Sequence, residues 1–328
     1  MKRKYLRYSV LVGIELLFLV IIIILAFKII NEQNGEVKGI QYISIINKKD
    51  ITFDKSSLKY FYEPKAESIL IENPEWLGYS VTNTMNKDSL NERFNYDLVK
   101  DGKTYRIITL GDSWTYGWYV NTNENYSEVL EDELNKDLYC GNISNFEVIN
   151  LGVGGYDIEY ALNRFIKRGV KYKPDLVIWF VNNWNFEKIK ELFNPIYTEL
   201  GNKGIPDFDP KTRTNPRYQI SLKRIKEQYG NDIFFNYNKE VVQKFIDHYS
   251  NYKFLIMSLP FLRSQYKTMI KDLITNTGFK YSDDVTNVFN DDNYHFIDNH
   301  PNVLGHKIIA KDIFNYLVKN EFKKCSVK

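Results

Sequence analysis

Four short runs, residues 107–110, 146–151, 176–181 and 254–259, are rich in apolar side chains without the strict alternation of a half-exposed strand. A strand reads this way when both of its faces are covered, as in a parallel sheet with helices on either side. Helical patterns lie between them at 126–138, 158–168 and 241–249, and a last one follows at 303–319. Strand–helix alternation of this kind predicts right-handed βαβ units and a three-layer α/β/α sandwich. Residues 187–239 interrupt the alternation. Gly201, Gly204, Pro206, Pro210 and Pro216 fall there, and the stretch reads as an irregular insertion, either a passive excursion or a wall that shapes a substrate site.

The N-terminus is different in kind. Residues 1–8 are basic, and residues 9–30 are almost uninterruptedly apolar, with Glu15 and Lys28 near the two ends. About 20 such residues suffice to cross a bilayer as a helix. Basic residues before the span and few after it predict a single-pass membrane anchor with the N-terminus inside and the body outside. A cleaved signal peptide begins in the same way, but Phe27-Lys28-Ile29-Ile30-Asn31 offers no small-x-small cleavage site. Residues 31–103 read as a spacer followed by a small β-rich lead-in, and residues 104–328 as the main domain.

The chain has 328 residues, 44 of them basic and 41 acidic, a near balance that gives no reason to expect a nucleic-acid partner. Its two cysteines, Cys140 and Cys325, leave a disulfide open and exclude a disulfide-framed fold. Three of the four histidines, His295, His300 and His306, lie close together. They lack the spacing of a zinc site, so neither a metal nor another cofactor is expected.

The first apolar run ends in Leu110-Gly111-Asp112-Ser113, which sets a serine at the carboxyl end of a strand, where open α/β sheets bind ligands. Near the other end of the chain stands Asp298-Asn299-His300-Pro301-Asn302. Pro301 pushes His300 toward extended geometry. Asp298 on the same loop can fold back onto one imidazole nitrogen, leaving the other free to take a proton. His306 reads as a capping or packing residue and His248 as a surface one. Asp112 adjoins the serine, but neighbouring side chains at a strand end point in different directions, so its reading is a structural hydrogen bond. Trp114, Tyr116 and Trp118 read as core packing ahead of a substrate-stacking wall.

The Gly-Asp-Ser block, the block Asn150-Leu151-Gly152-Val153-Gly154-Gly155, a strand ending in asparagines and the late Asp-x-His-Pro-Asn-x-x-Gly-His resemble the SGNH (GDSL) hydrolase superfamily over roughly residues 105–317. The resemblance implies a flavodoxin-like parallel sheet and a serine esterase site. Ser113 would be the nucleophile, His300 the general base and Asp298 the residue that orients it. The oxyanion hole would be the backbone N–H groups of Ser113 and Gly155 with an asparagine side chain. The family's third block is usually Gly-x-Asn-Asp, whereas this strand ends Phe180-Val181-Asn182-Asn183-Trp184-Asn185. Asn182 or Asn183 could be the donor, Asn182 slightly favoured, with Asn185 a third candidate.

The function expected is an extracytoplasmic serine ester hydrolase working through an acyl-enzyme. Its partners would be an ester substrate, with O-acyl groups on glycans or lipid esters in view, and the membrane through the N-terminal helix. The alternatives are an O-acyltransferase using the same triad, or a non-catalytic membrane-tethered binding module on the same fold.

Overall fold

The computed structural model of the chain describes residues 58–327. The basic segment 1–8, the apolar span 9–30 and the first part of the spacer lie outside the described residues. Among the described residues no helix is long and apolar enough to cross a membrane.

The core is a five-stranded sheet of β3 (Thr104–Leu110), β5 (Asn145–Asn150), β6 (Leu176–Val181), β7 (Phe254–Ser258) and β8 (Lys280–Ser282). Their spatial order is β5-β3-β6-β7-β8, and every neighbouring pair is parallel. Renumbered along the chain this is 2-1-3-4-5, the doubly wound order of flavodoxin-like sheets. Four of the strands coincide with the four apolar runs. The fifth, β8, is a three-residue edge strand whose Lys280-Tyr281-Ser282 carries no apolar run to find.

Side chains alternate across the sheet. Ile107, Val148, Ile178, Leu255 and Met257 pack on one face against Tyr126, Leu130 and Leu134 of the helix Tyr126–Asp137 and Ile309, Ile313 and Leu317 of the helix Val303–Asn320. Phe254, out of phase with Leu255, instead meets Phe165 at 5.2 Å and Phe245 at 5.3 Å between ring centroids. Both faces are therefore covered, which is what the continuous apolar character of the strands requires.

Two features go beyond the sequence reading, the first against it and the second on a point it left open. The stretch 187–239 is helical rather than irregular: Lys190–Asn202, Pro216–Tyr229 and the start of Ile233–Tyr249 are helices. Its prolines and glycines punctuate helix ends, with Pro216 at the first helical position and Gly204 left-handed at φ 78° in the connection. Pro195 alone falls inside a helix. Secondly, Cys140 and Cys325 form a disulfide across a sequence separation of 185. It lies beside the antiparallel pair of β4 (Leu138–Tyr139) and β9 (Ser326–Val327), which ties down the C-terminal tail.

The lead-in forms one antiparallel pair, β1 (Ser68–Glu72) with β2 (Val81–Met85). Just before it, Leu58, Tyr60 and Phe61 pack on Val153, Tyr156 and Tyr160, beneath the glycine-rich block.

Candidate active site

Register brings the two halves of the site together. Leu110 of β3 pairs with Trp179 of β6, so Ser113 and Asn182 each lie three positions beyond a matched pair, at the switch point of the sheet. The chain leaves the strand after Leu110, and only glycine fits at the next position. A side chain at Gly111 would stand 2.2 Å from Thr115 Oγ1 and 3.0 Å from the Phe180 carbonyl. Asp112 then caps a single helical turn, Ser113–Tyr116, its Oδ1 accepting from Trp114 N at 3.0 Å. Ser113 is the first residue of that turn, where the N–H has no partner within the helix.

The imidazole comes from a tight loop. His295 and Pro301 bridge antiparallel, Phe296 N donates to the His300 carbonyl at 2.8 Å, and Asn299 takes a left-handed φ of 70°. Asparagine tolerates that conformation better than most residues. The turn returns the Asp298 carboxylate to its neighbour but one: Asp298 Oδ2 is 2.9 Å from His300 Nδ1, and Oδ1 accepts from His300 N at 3.2 Å. His300 Nε2 is 2.8 Å from Ser113 Oγ. A hydroxyl, an imidazole and a carboxylate thus form one hydrogen-bonded line, joined across 187 residues of sequence.

The three asparagines separate by what they touch. Asn182 Nδ2 donates to Asp112 Oδ2 at 2.9 Å, and its second amide hydrogen has no acceptor among the described residues. Asn185 Nδ2 donates to Asp112 Oδ2 at 3.0 Å and to the Tyr156 carbonyl at 3.2 Å, so both of its hydrogens are engaged. Asn183 faces another loop, giving Nδ2 to the Phe261 carbonyl at 3.2 Å and taking Arg263 N at 3.0 Å. Asp112, with three donors on its two oxygens, is a local organiser that makes no hydrogen bond to His300.

The glycine-rich block lies against the serine turn. A side chain at Gly152 would stand 2.2 Å from Tyr116 N, so only glycine permits this approach. Gly155 is left-handed at φ 69°. The Tyr62 hydroxyl donates to the Gly154 carbonyl. In a planar trans peptide the N–H opposes the C=O, so this bond turns the Gly155 N–H away from Tyr62. Tyr62 comes from the lead-in, and nothing in its sequence surroundings marks it.

Of the three aromatics after the serine, Trp114 and Tyr116 are buried in the core, whereas Trp118 is half-buried. The Trp118 ring meets His300 edge-on at 5.4 Å, as does Tyr119. Trp76 and Phe296 continue this wall, each edge-on to Tyr119, at 4.9 and 6.0 Å. Burial and the nearby Asp298 carboxylate raise the Tyr119 phenol. Glu72 of β1 accepts from Trp118 Nε1 at 2.8 Å, and burial raises its carboxyl. His306 is fully buried, taking Tyr126 N on Nδ1 at 3.2 Å, and His248 is exposed. Sequence spacing identified the polar line; Trp76, Tyr62 and Phe296 reach it only through the fold.

A serine hydroxyl bonded to an imidazole, itself bonded to a carboxylate, at the switch point of a doubly wound sheet defines the α/β sandwich class of serine hydrolases. Residues 109–308 match the model of the GDSL-like Lipase/Acylhydrolase family, and the chain belongs to that family, as a serine ester hydrolase. No curated protein matches the chain. Similar solved structures include a lipase/acylhydrolase from Enterococcus faecalis, 14% identical over 68% of this chain and 97% of the other, with a TM-score of 0.42. An acetylxylan esterase from Geobacillus stearothermophilus is 14% identical over 66% of this chain and 95% of the other, with a TM-score of 0.43. A psychrotrophic esterase from Pseudoalteromonas sp. is 16% identical over 67% and 98%, with a TM-score of 0.40.

Proposed function

We propose that the protein is an extracytoplasmic, membrane-anchored esterase that removes O-acyl groups from a glycan, with Ser113 as nucleophile. The observation that carries this reading is the hydrogen-bonded line Ser113 Oγ, His300, Asp298. Ser113 Oγ attacks the acyl carbon while His300 Nε2 takes its proton. Asp298, on Nδ1, holds the ring in the tautomer that can do so and stabilises the imidazolium that forms. The developing oxyanion is met by the N–H groups of Ser113 and Gly155 and by the second amide hydrogen of Asn182. His300 then returns the proton to the departing alcohol, and a water, activated by the same imidazole, releases the acyl group from the serine as a free acid.

The half-buried wall of Trp76, Trp118, Tyr119 and Phe296 beside His300 supports a sugar-borne ester, because aromatic faces suit the apolar faces of a pyranose ring. Location outside the cytoplasm draws support from the basic segment preceding the apolar span 9–30 and from the Cys140–Cys325 disulfide, which persists in oxidising compartments.

A fluorophosphonate incubated with the full chain tests the assignment, with peptide mass spectrometry locating the adduct. Label on Ser113, with free carboxylic acid released from a short-chain ester, is the expected result. Label elsewhere, or none, overturns the nucleophile.

A further inference from the structure

Two lysines converge on the glycine loop. The Gly155 carbonyl accepts from Lys188 Nζ at 3.0 Å and from Lys190 Nζ at 3.2 Å. Neither ammonium forms an ion pair with a carboxylate among the described residues. Lys190 is 5% exposed and enclosed by aromatic rings, its Nζ 4.9 Å from the centroid of Tyr62, 5.5 Å from Tyr160 and 5.7 Å from Tyr156. Lys188 is partly exposed, as are Gly154 and Gly155, so the pair is approached from solvent on the Lys188 side, beside the oxyanion loop.

The carboxylate that follows most closely in sequence is already occupied. Asp157 spends Oδ1 on Tyr160 N at 2.9 Å and Oδ2 on Lys190 N at 2.6 Å. Asp157 still acts electrostatically on both lysines, with Glu191 on Lys190 and Asp112 and Asp207 on Lys188, but none of these carboxylates forms an ion pair with either ammonium among the described residues. Burial, then repulsion from Lys188, lowers the Lys190 ammonium to about 7, and burial lowers Lys188 as well. Two ammonium groups drawn from water onto one neutral carbonyl, with no carboxylate in ion-pair contact, gain stability when a further anion joins them. Each ammonium has three donors and gives one to Gly155, so two remain on each for a ligand.

We propose that Lys188 and Lys190 form an anion-binding subsite beside the Gly154–Gly155 loop, so that the acylated substrate carries a carboxylate or phosphate close to its ester. Its link to turnover rests on the esterase reading above; its binding does not. Trp118, which a side chain at Gly154 would touch at 3.2 Å, bounds the same loop with an aromatic face. Ring stacking and an anion on one short loop together point to an acidic glycan ester.

The full chain is titrated with glucuronate and with glucose, its uncharged counterpart, by ligand-observed NMR, and inorganic phosphate is added as competitor. The expected result is glucuronate binding about tenfold or more tighter than glucose, through charge-assisted bonds to both lysines. Displacement by phosphate assigns the subsite to either oxyanion, and its failure assigns it to carboxylates. Lys188→Gln and Lys190→Met each remove the preference for glucuronate. The first, at a partly exposed position, does so without disturbing the core. Equal binding of the two sugars, binding of neither, or a preference that survives Lys188→Gln overturns the subsite. A chain that prefers glucuronate yet releases no acid from either an O-acetylated glucuronate or a neutral short-chain ester refutes the esterase reading instead.

Discussion

Asp112 accepts the side-chain amide of Asn182 at 2.9 Å, tying the residue before the serine to the first residue after β6. The bond holds the Asn182 amide beside the Ser113 turn with one hydrogen spent and one to give. Asn183, one position on, is turned to the Phe261–Arg263 loop and serves its geometry instead.

Asn182→Ala should therefore lower kcat on a short-chain ester by about 10²–10³, the usual loss for one oxyanion donor. Asn183→Ala should cost less than about tenfold, since it removes a loop tether and no contact to the reacting oxygen. Asp112 keeps Asn185 and Trp114 N in the first variant, so the turn stays capped. Steady-state kinetics on the two variants decides the matter, and a larger kcat loss in Asn183→Ala would reassign the donor.

Asp298→Asn preserves the shape of the loop but presents an amide to His300 Nδ1. The imidazole then favours the tautomer with its hydrogen on Nε2, which cannot take the serine proton. A loss of roughly 10⁴ in kcat is expected, with Ser113→Ala at least as severe. Circular dichroism checks that both variants fold. Turnover within about tenfold of the parent in Asp298→Asn would remove Asp298 from the catalytic line.

Much of this arrangement was legible before any coordinates. The parallel strands announced themselves because burial on both faces forbids polar alternation. Ser113 and His300 stood out because Gly111 and Pro301 constrain the backbone beside them. Asparagine choice was not legible, because three candidates within four positions differ only in which loop each side chain meets. Tyr62, Trp76 and Lys190 lie in stretches with no motif, and only tertiary packing carries them to the site. The helices Lys190–Asn202 and Pro216–Tyr229 were hidden because Gly204, Pro206, Pro210 and Pro216 fall in or beside the connection between them.

His306 should make the fold sensitive to acid. It is fully buried, Nδ1 accepts from Tyr126 N, and burial lowers its pKa from 6.5 to about 3. Above 6.5 both folded and unfolded chains hold it neutral, and its contribution is complete. Between 6.5 and 3 the unfolded chain binds a proton that the folded chain refuses, so stability falls as pH falls. Through this side chain alone the protein should be about 3 kcal/mol less stable at pH 4.5 than at pH 7.5. His306→Gln keeps an acceptor for Tyr126 and cannot titrate, so urea unfolding at the two pH values should show that part of the loss removed. An identical pH dependence in both proteins would mean that His306 titrates normally.

The Cys140–Cys325 bridge closes a loop with a sequence separation of 185, so its effect on the unfolded chain is large. Chain-entropy arguments give about 5 kcal/mol for a loop of this length, and typical bridges deliver about 2–4 kcal/mol. The bridge joins the C-terminal tail to the edge of the domain next to β5, with Ser326–Val327 paired to Leu138–Tyr139. Nothing in the catalytic line touches it. Cys325→Ser should thus lower stability by about 2–4 kcal/mol, while kcat on a short-chain ester at 25 °C stays near that of the parent. Chemical unfolding with and without reductant measures the first effect: reductant should bring the parent to the midpoint of the variant and leave the variant unmoved. A parent midpoint indifferent to reductant would show that the two thiols are not joined in solution.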